Sequence, residues 1–202
     1  MKYTGKLFKV LNERKSCHGG NHTWKENEWV KVEGKLIPCQ HGIHLCREQD
    51  LIEWLGPEIW AAEYQGDEFI IHENKVVVRE ARITTKYENW NDCTARLLAC
   101  DFAEKVVHLC DDDLRPAEAI RVARLFAHGQ ATKEELDAAA RIAAWDAALA
   151  AARAAARTAA WDAALAAARA AAWDAAWDAA WAAAWDEMRQ WQTEQLMGLL
   201  FG

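Results

Sequence analysis

Lys75-Val76-Val77-Val78-Arg79-Glu80-Ala81-Arg82-Ile83 decides how the first half of the chain is read. Three consecutive valines are stiff at χ1 and favour a pleated strand over a helix. The residues after them alternate apolar and charged at a period of two, the pattern of a strand with one covered face. Working back toward the N-terminus, Phe69–Ile71 and Ile59–Tyr64 read as two further strands separated by Gly66-Asp67. Arg47–Leu55 carries Leu51, Ile52, Trp54 and Leu55 at helical spacing and stops at Gly56-Pro57. Gly42–Cys46 reads as a short strand, and Trp29–Val32 with Lys35–Ile37 flank Gly34 as a hairpin. Leu7–Leu11 is the first strand, followed by the polar, turn-forming stretch Asn12–Asn21. Residues 1–90 therefore form a small mixed α/β head of five to six strands and one helix, and the chain is of the α+β class.

Beyond Asn91 the strand pattern stops, and residues 91–202 read as an all-helical tail. Asp92 or Thr94 caps a helix expected to run to Leu109, with Leu97, Leu98, Phe102, Val106 and Leu109 on its inner side. Asp111-Asp112-Asp113 breaks it, Pro116 suits the first turn of the next helix, and Gly129 ends that one. Thr132 with Glu135 three residues on is a capping box. The alanine-rich repeat that follows, about 141–189, has a period of four: Trp145, Trp161, Trp173, Trp177, Trp181 and Trp185 share one register, and Asp follows five of the six. Each four-residue step advances about 40° around a helix of 3.6 residues per turn, so Trp145 and Trp161 lie about 160° apart. The stripe must wind, break or meet more than one neighbour. A fold-back near Arg157-Thr158 is the expected solution; a single helix of about 100 Å is the alternative and needs a partner to cover its indoles.

Twelve tryptophans in 202 residues, each able to bury roughly 150–250 Å², make packing of these rings the central question for the tail. With 31 acidic against 24 basic side chains, the net charge of −7 disfavours direct nucleic-acid binding, which needs phosphate-neutralising cations. Charge interrupts every apolar run before the ~20 residues a membrane span requires, so no membrane partner is expected. MKYTGKLFKVLNERK lacks the features of a signal peptide. Six cysteines without a secretion signal read as reduced thiols in a cytoplasmic protein.

Residues 94–130, in particular Asp112 to Ile120, together with the alanine-rich repeats and RQWQTEQLMGLL at 189–200, resemble helical immunity-type proteins of bacterial and prophage genomes. LIPCQHGIHLCREQDLIEWLG at 36–56 resembles an uncharacterised domain of bacteriophage and prophage proteins, and the head is also similar to the ADP-ribosyltransferase fold. The second likeness implies that His18, before Gly19, holds the nicotinamide ribose. It further implies that His44, within Gly42–Cys46, lines an NAD pocket and that Glu80 stabilises the oxocarbenium-like transition state. Where that family carries a Gln/Glu-x-Glu pair, this chain has Val78-Arg79-Glu80.

The densest reactive side chains are Cys17, His18, His22, Cys39, His41, His44 and Cys46. Cys39, His41, His44 and Cys46 offer four soft ligands within eight residues and are the candidate zinc set; buried thiols and hydrogen-bonded histidines are the plainer reading. A Cys46–His44 or Cys17–His18 pair would be the nucleophile and base of a thiol enzyme. Asp112 and Arg115, with Trp173, Trp177, Trp181 and Trp185, are the candidate partner-binding residues, since Trp and Arg concentrate at interface hot spots; cap formation and internal packing are their structural alternatives. Taken together, these features point first to a non-enzymatic protein-binding factor of the immunity or anti-defence class, without cofactor, able to self-associate through its tail. An NAD-dependent transferase whose tail docks its target comes second, and a zinc-stabilised structural module third.

Overall fold

A computed structural model describes residues 3–17, 20–107, 114–142 and 184–202. The expected fold-back near Arg157, the winding of the tryptophan stripe and the extension of the first helix to Leu109 fall outside these residues. The chain divides into two units: Met1–Asp92 with Arg189–Gly202, and Cys93–Met188. Residues 189–202 fall in the same unit as residues 1–92.

The head is a six-stranded antiparallel sheet built from β1 (Leu7–Asn12), β2 (Lys15–Ser16), β3 (Val30–Lys31), β4 (Ile43–Arg47), β5 (Glu58–His72) and β6 (Lys75–Lys86). Its pairings close into a ring, because β1 joins both β4 and β5 while β6 joins the same two strands. The triple valine of β6 is fully buried, and Ile43, Leu45, Val76, Val78, Ala81 and Ile83 form a core with Leu7, Leu11, Trp24 and Trp60. The α+β class expected from the sequence is therefore the class observed.

Three elements differ from expectation in instructive ways. Ile59–Tyr64 and Phe69–Ile71 are parts of one strand, since Gly66-Asp67 is taken up in a register shift between Gln65 and Phe69 instead of a turn. The chain reverses at Glu73-Asn74 before β6. Trp29–Val32 and Lys35–Ile37 do not pair with each other; Val30 and Lys31 face Ala81 and Glu80 of β6, and Ile37 bridges His41. The segment expected as a helix after β4 is a single 3-10 stretch, Glu48–Glu53, and Trp90 closes the head by donating from its indole to the Gly56 carbonyl at 2.7 Å.

The last helix, 184–201, supplies buried Leu196, Met197 and Leu200. Within the head unit, Phe201 stacks edge-on with Tyr87 at 5.2 Å and lies 6.2 Å from Phe8. Arg189 reaches Glu53 and, at 3.8 Å, Asp50, a carboxylate only 2 % exposed that also holds Arg47.

In the other unit, α1 (Asp92–Val106) and α2 (Arg115–Ala127) are joined by Arg124, which grips Asp101 at 2.7 Å and Glu104 at 2.5 Å, and by Arg96 over the Phe126 ring. Pro116 occupies the first turn of α2, and Gly129 follows its end with φ +69°. The Thr132–Glu135 box forms in both directions, Thr132 N–H to the carboxylate at 2.8 Å and Glu135 N–H to the hydroxyl at 3.2 Å. Among the described residues no helix is long and apolar enough to cross a membrane.

Candidate functional site: a lysine-lined cavity in the head

The β1–β4 ladder contains only Leu7↔Arg47 and Phe8↔Cys46. Past that point β1 continues along β5 and β4 continues along β6, so the two strands separate. A cavity of about 400 Å³ opens there. Lys9 and Val10 form one wall and Ile43–Cys46 the other. Cys17 and Gly20–His22 come from the loop after β2, and Trp24, Cys39, Trp54 and Lys75 also line the cavity. This volume lies within the usual range for small-molecule sites, roughly 300–1,000 Å³.

Alternation along β1 explains the most unusual side chain. Lys9 shares its parity with Leu7 and Leu11, both members of the core, and is itself only 8 % exposed. Its ammonium donates to the His44 carbonyl at 2.9 Å and lies 5.3 Å from the centre of the Trp24 ring. Burial pushes its pKa down to about 8 from the ordinary 10.5. Lys75 is also buried, with its nitrogen 4.4 Å above the Trp54 ring, and Trp54 is fixed by an indole hydrogen bond to the Asn74 carbonyl. Among the described residues neither ammonium has a carboxylate within ion-pair distance. In a chain of net charge −7 this is a local concentration of positive charge facing aromatic walls.

The imidazole of His44 is held neutral. Desolvation, then Lys9 and Lys75, bring its pKa to about 4. Its Nε2 accepts the Cys39 N–H at 3.0 Å, and a backbone hydrogen bond ties the ring to Gly42. The Cys46 thiol is pushed up to about 12 by burial, and burial also raises Cys17, which Lys9 only partly offsets. Neither sulfur is a thiolate at neutral pH, and the His44 ring already has hydrogen-bond duties, so the Cys46–His44 pair lacks an activated nucleophile.

Of the residues singled out from the sequence, His44, Cys39, Cys46, Cys17 and His22 meet at the cavity. His41 does not; it is exposed and donates from Nε2 to the Glu33 carbonyl at 2.6 Å. Cys39 is exposed, in a left-handed conformation with φ +64°. Among the described residues no three His, Cys, Asp or Glu side chains converge as a metal site, so the four candidate zinc ligands are not gathered. Five cysteines, Cys17, Cys39, Cys46, Cys93 and Cys100, are free thiols. Glu80 sits on β6 opposite Gln65 and Lys31 and does not line the cavity, whereas His44 does. His18, Asp112, Trp173, Trp177 and Trp181 lie outside the described residues. Arg115 opens α2 and takes part in an interaction there, and Trp185 is 65 % exposed.

Lys9 and Lys75 were missed by sequence reasoning. In Leu7-Phe8-Lys9-Val10-Leu11 a lone lysine reads as the solvent side of a strand, and Lys75 as the flank of a valine run. The available signal was parity, which puts Lys9 on the same side as two leucines.

Compared with known proteins, the chain matches no family model, no curated sequence and no solved structure.

Proposed function

We propose that this chain is a binding protein rather than a catalyst, and that its head takes up a small anionic molecule with an apolar, ring-bearing body. One observation carries the reading: two lysines buried in one cavity without a carboxylate partner among the described residues. Burying an ammonium is costly unless it is paired, so an anion entering here recovers an interaction the apo protein lacks. The indoles of Trp24 and Trp54 supply flat apolar walls for a ring. A neutral His44 and protonated thiols contribute shape and hydrogen bonding without adding negative charge.

Calorimetric titration with AMP, benzoate and NAD⁺ tests this. Saturable heat with AMP or benzoate, weakened at least tenfold in Lys75→Ala (the loss of one charge-assisted contact, about 1.4 kcal/mol or more), is the expected result. No heat with any of the three removes the reading. Heat with NAD⁺ alone, abolished by Glu80→Gln, would favour the transferase alternative, because Glu80 does not line the cavity and a simple pocket would not need it.

A second reading, capture of a protein partner of bacterial or phage origin, is favoured by the exposed indole of Trp185 at the described end of the tryptophan stripe. Since residues 189–202 belong to the head unit, its test must leave them in place. Trp185→Ala should then reduce partner capture while anion binding in the head is unchanged; capture untouched by that substitution removes Trp185 from the interface.

A further inference from the structure

We infer that the Lys9 amine is a nucleophile for carbonyl compounds, so that the cavity takes up an anionic, ring-bearing aldehyde or ketone as a reversible imine. This rests on the reading of the cavity as an anion site and deepens it. The geometry provides the essentials. Lys9 lines a cavity of about 400 Å³, and its nitrogen is held by a hydrogen bond to the His44 carbonyl. Lys75 lines the same cavity to receive the carboxylate or phosphate of the ligand, and Trp24 and Trp54 are among the lining residues.

A lysine attacks carbonyl carbon only as the free amine, and a desolvated lysine is the usual way to obtain one. With the pKa at about 8 instead of 10.5, a difference of 2.5 units, the neutral fraction at pH 7 rises roughly three-hundred-fold. Burial keeps it so: the Cys46 and Cys17 sulfurs act against the depression but only partly offset it, and both are protonated thiols, while His44 is uncharged. Among the described residues no carboxylate is close enough to hold the ammonium form.

The step balances without a further reactant. The Lys9 lone pair forms a C–N bond as the carbonyl π pair moves to oxygen, and the proton lost by nitrogen ends on that oxygen, giving a carbinolamine. Loss of water, with the nitrogen lone pair forming C=N, gives the imine; addition of water reverses it. Nothing is oxidised or reduced. A protonated imine carries the same charge as the ammonium it replaces and can keep the contact with the His44 carbonyl.

The experiment uses the full chain with 4-carboxybenzaldehyde as probe, cyanoborohydride to fix any imine as a secondary amine, and peptide mass mapping. Benzoate, which has the anion and ring but no electrophilic carbonyl, serves as competitor and as the calorimetric ligand. The expected result is labelling of Lys9 at least about tenfold above the exposed Lys25 and Lys133, suppressed by benzoate and absent in Lys9→Arg. Benzoate heat is read on the unsubstituted chain, so that the anion site is tested apart from the imine. Uniform labelling of surface lysines while benzoate still binds overturns the imine and leaves the anion site standing. Lys9 labelling that benzoate does not displace overturns the role given to Lys75. Neither label nor heat overturns both. Circular dichroism on Lys9→Arg and Lys9→Met checks folding, and the wild-type map is informative without either variant.

Discussion

Lys9 is expensive to keep. Its pKa is near 8 in the folded chain and near 10.5 when unfolded, so between those values the unfolded chain binds more protons and the folded state gains stability as pH rises. Below pH 8 the full penalty is present, on the order of 3 kcal/mol for a depression of about 2.5 units. Lys9→Met, of similar length and without charge, should therefore stabilise the head by that amount in urea unfolding at pH 7, with the gain shrinking toward zero by pH 10.5. A variant that is no more stable at pH 7 would show that the ammonium is better solvated than its burial indicates. His44 has the opposite pH window. Its pKa falls from 6.5 to about 4 through desolvation, with Lys9 and Lys75 adding to it, so the unfolded chain takes up a proton that the folded chain refuses. Stability is full above pH 6.5 and declines as pH drops toward 4. His44→Gln should flatten that decline, and Lys9→Met should reduce it, because one of the two repelling ammoniums is gone. Proteins that retain a buried, destabilising cation usually do so for what it binds.

At the scale of elements, the short 3-10 stretch Glu48–Glu53 works harder than its length suggests. Asp50 is 2 % exposed, holds Arg47, and faces Arg189, while Arg47 also donates to the Glu73 carbonyl at 2.5 Å at the β5–β6 turn. Trp54, which follows this stretch directly, walls the cavity. Asp50→Ala leaves a half-buried guanidinium without its carboxylate and should cost about 3–5 kcal/mol in chemical unfolding; a loss under 1 kcal/mol would show that the cluster is an exposed pair in effect. These same elements show what was readable from sequence. The Val76–Val78 run announced β6 because its local pattern coincides with its burial on both faces. The Thr132–Glu135 box, Pro116 and Gly129 were legible for the same reason: their chemistry is local. Val30–Lys31 was not, since its partner is fifty residues away in β6 and Gly34 offered a false local turn. Gly66-Asp67 misled similarly, a bulge and a turn using the same residues. Half of the site, His44 and the thiols, stood out by residue type. The lysines did not, because only ring closure of the sheet turns a routine strand lysine inward.

At the scale of the whole molecule, one compact unit takes in residues 189–202 together with residues 1–92. Leu196, Met197 and Leu200 are buried, Phe201 packs with Tyr87 and Phe8, and Arg189 engages Glu53. The segment Cys93–Met188 thus lies in sequence between the two parts of one unit. Each buried leucine is worth about 2–5 kcal/mol against truncation. Losing two of them removes a large share of the 5–15 kcal/mol that a domain typically has. A fragment ending at residue 92 should accordingly unfold without a cooperative transition. Joining residues 1–92 to 189–202 through a Gly/Ser linker of ~20 residues, which reaches about 25 Å on average, should restore cooperative unfolding. It should also restore the benzoate heat, because every residue assigned to the cavity lies in the first part and its Trp54 wall adjoins the turn that Arg189 clasps. If the joined fragment remains unfolded while the intact chain unfolds cooperatively, the inserted helices carry stability the head does not own. If the 1–92 fragment alone folds and binds, the C-terminal helix is an accessory to the cavity rather than part of what holds it.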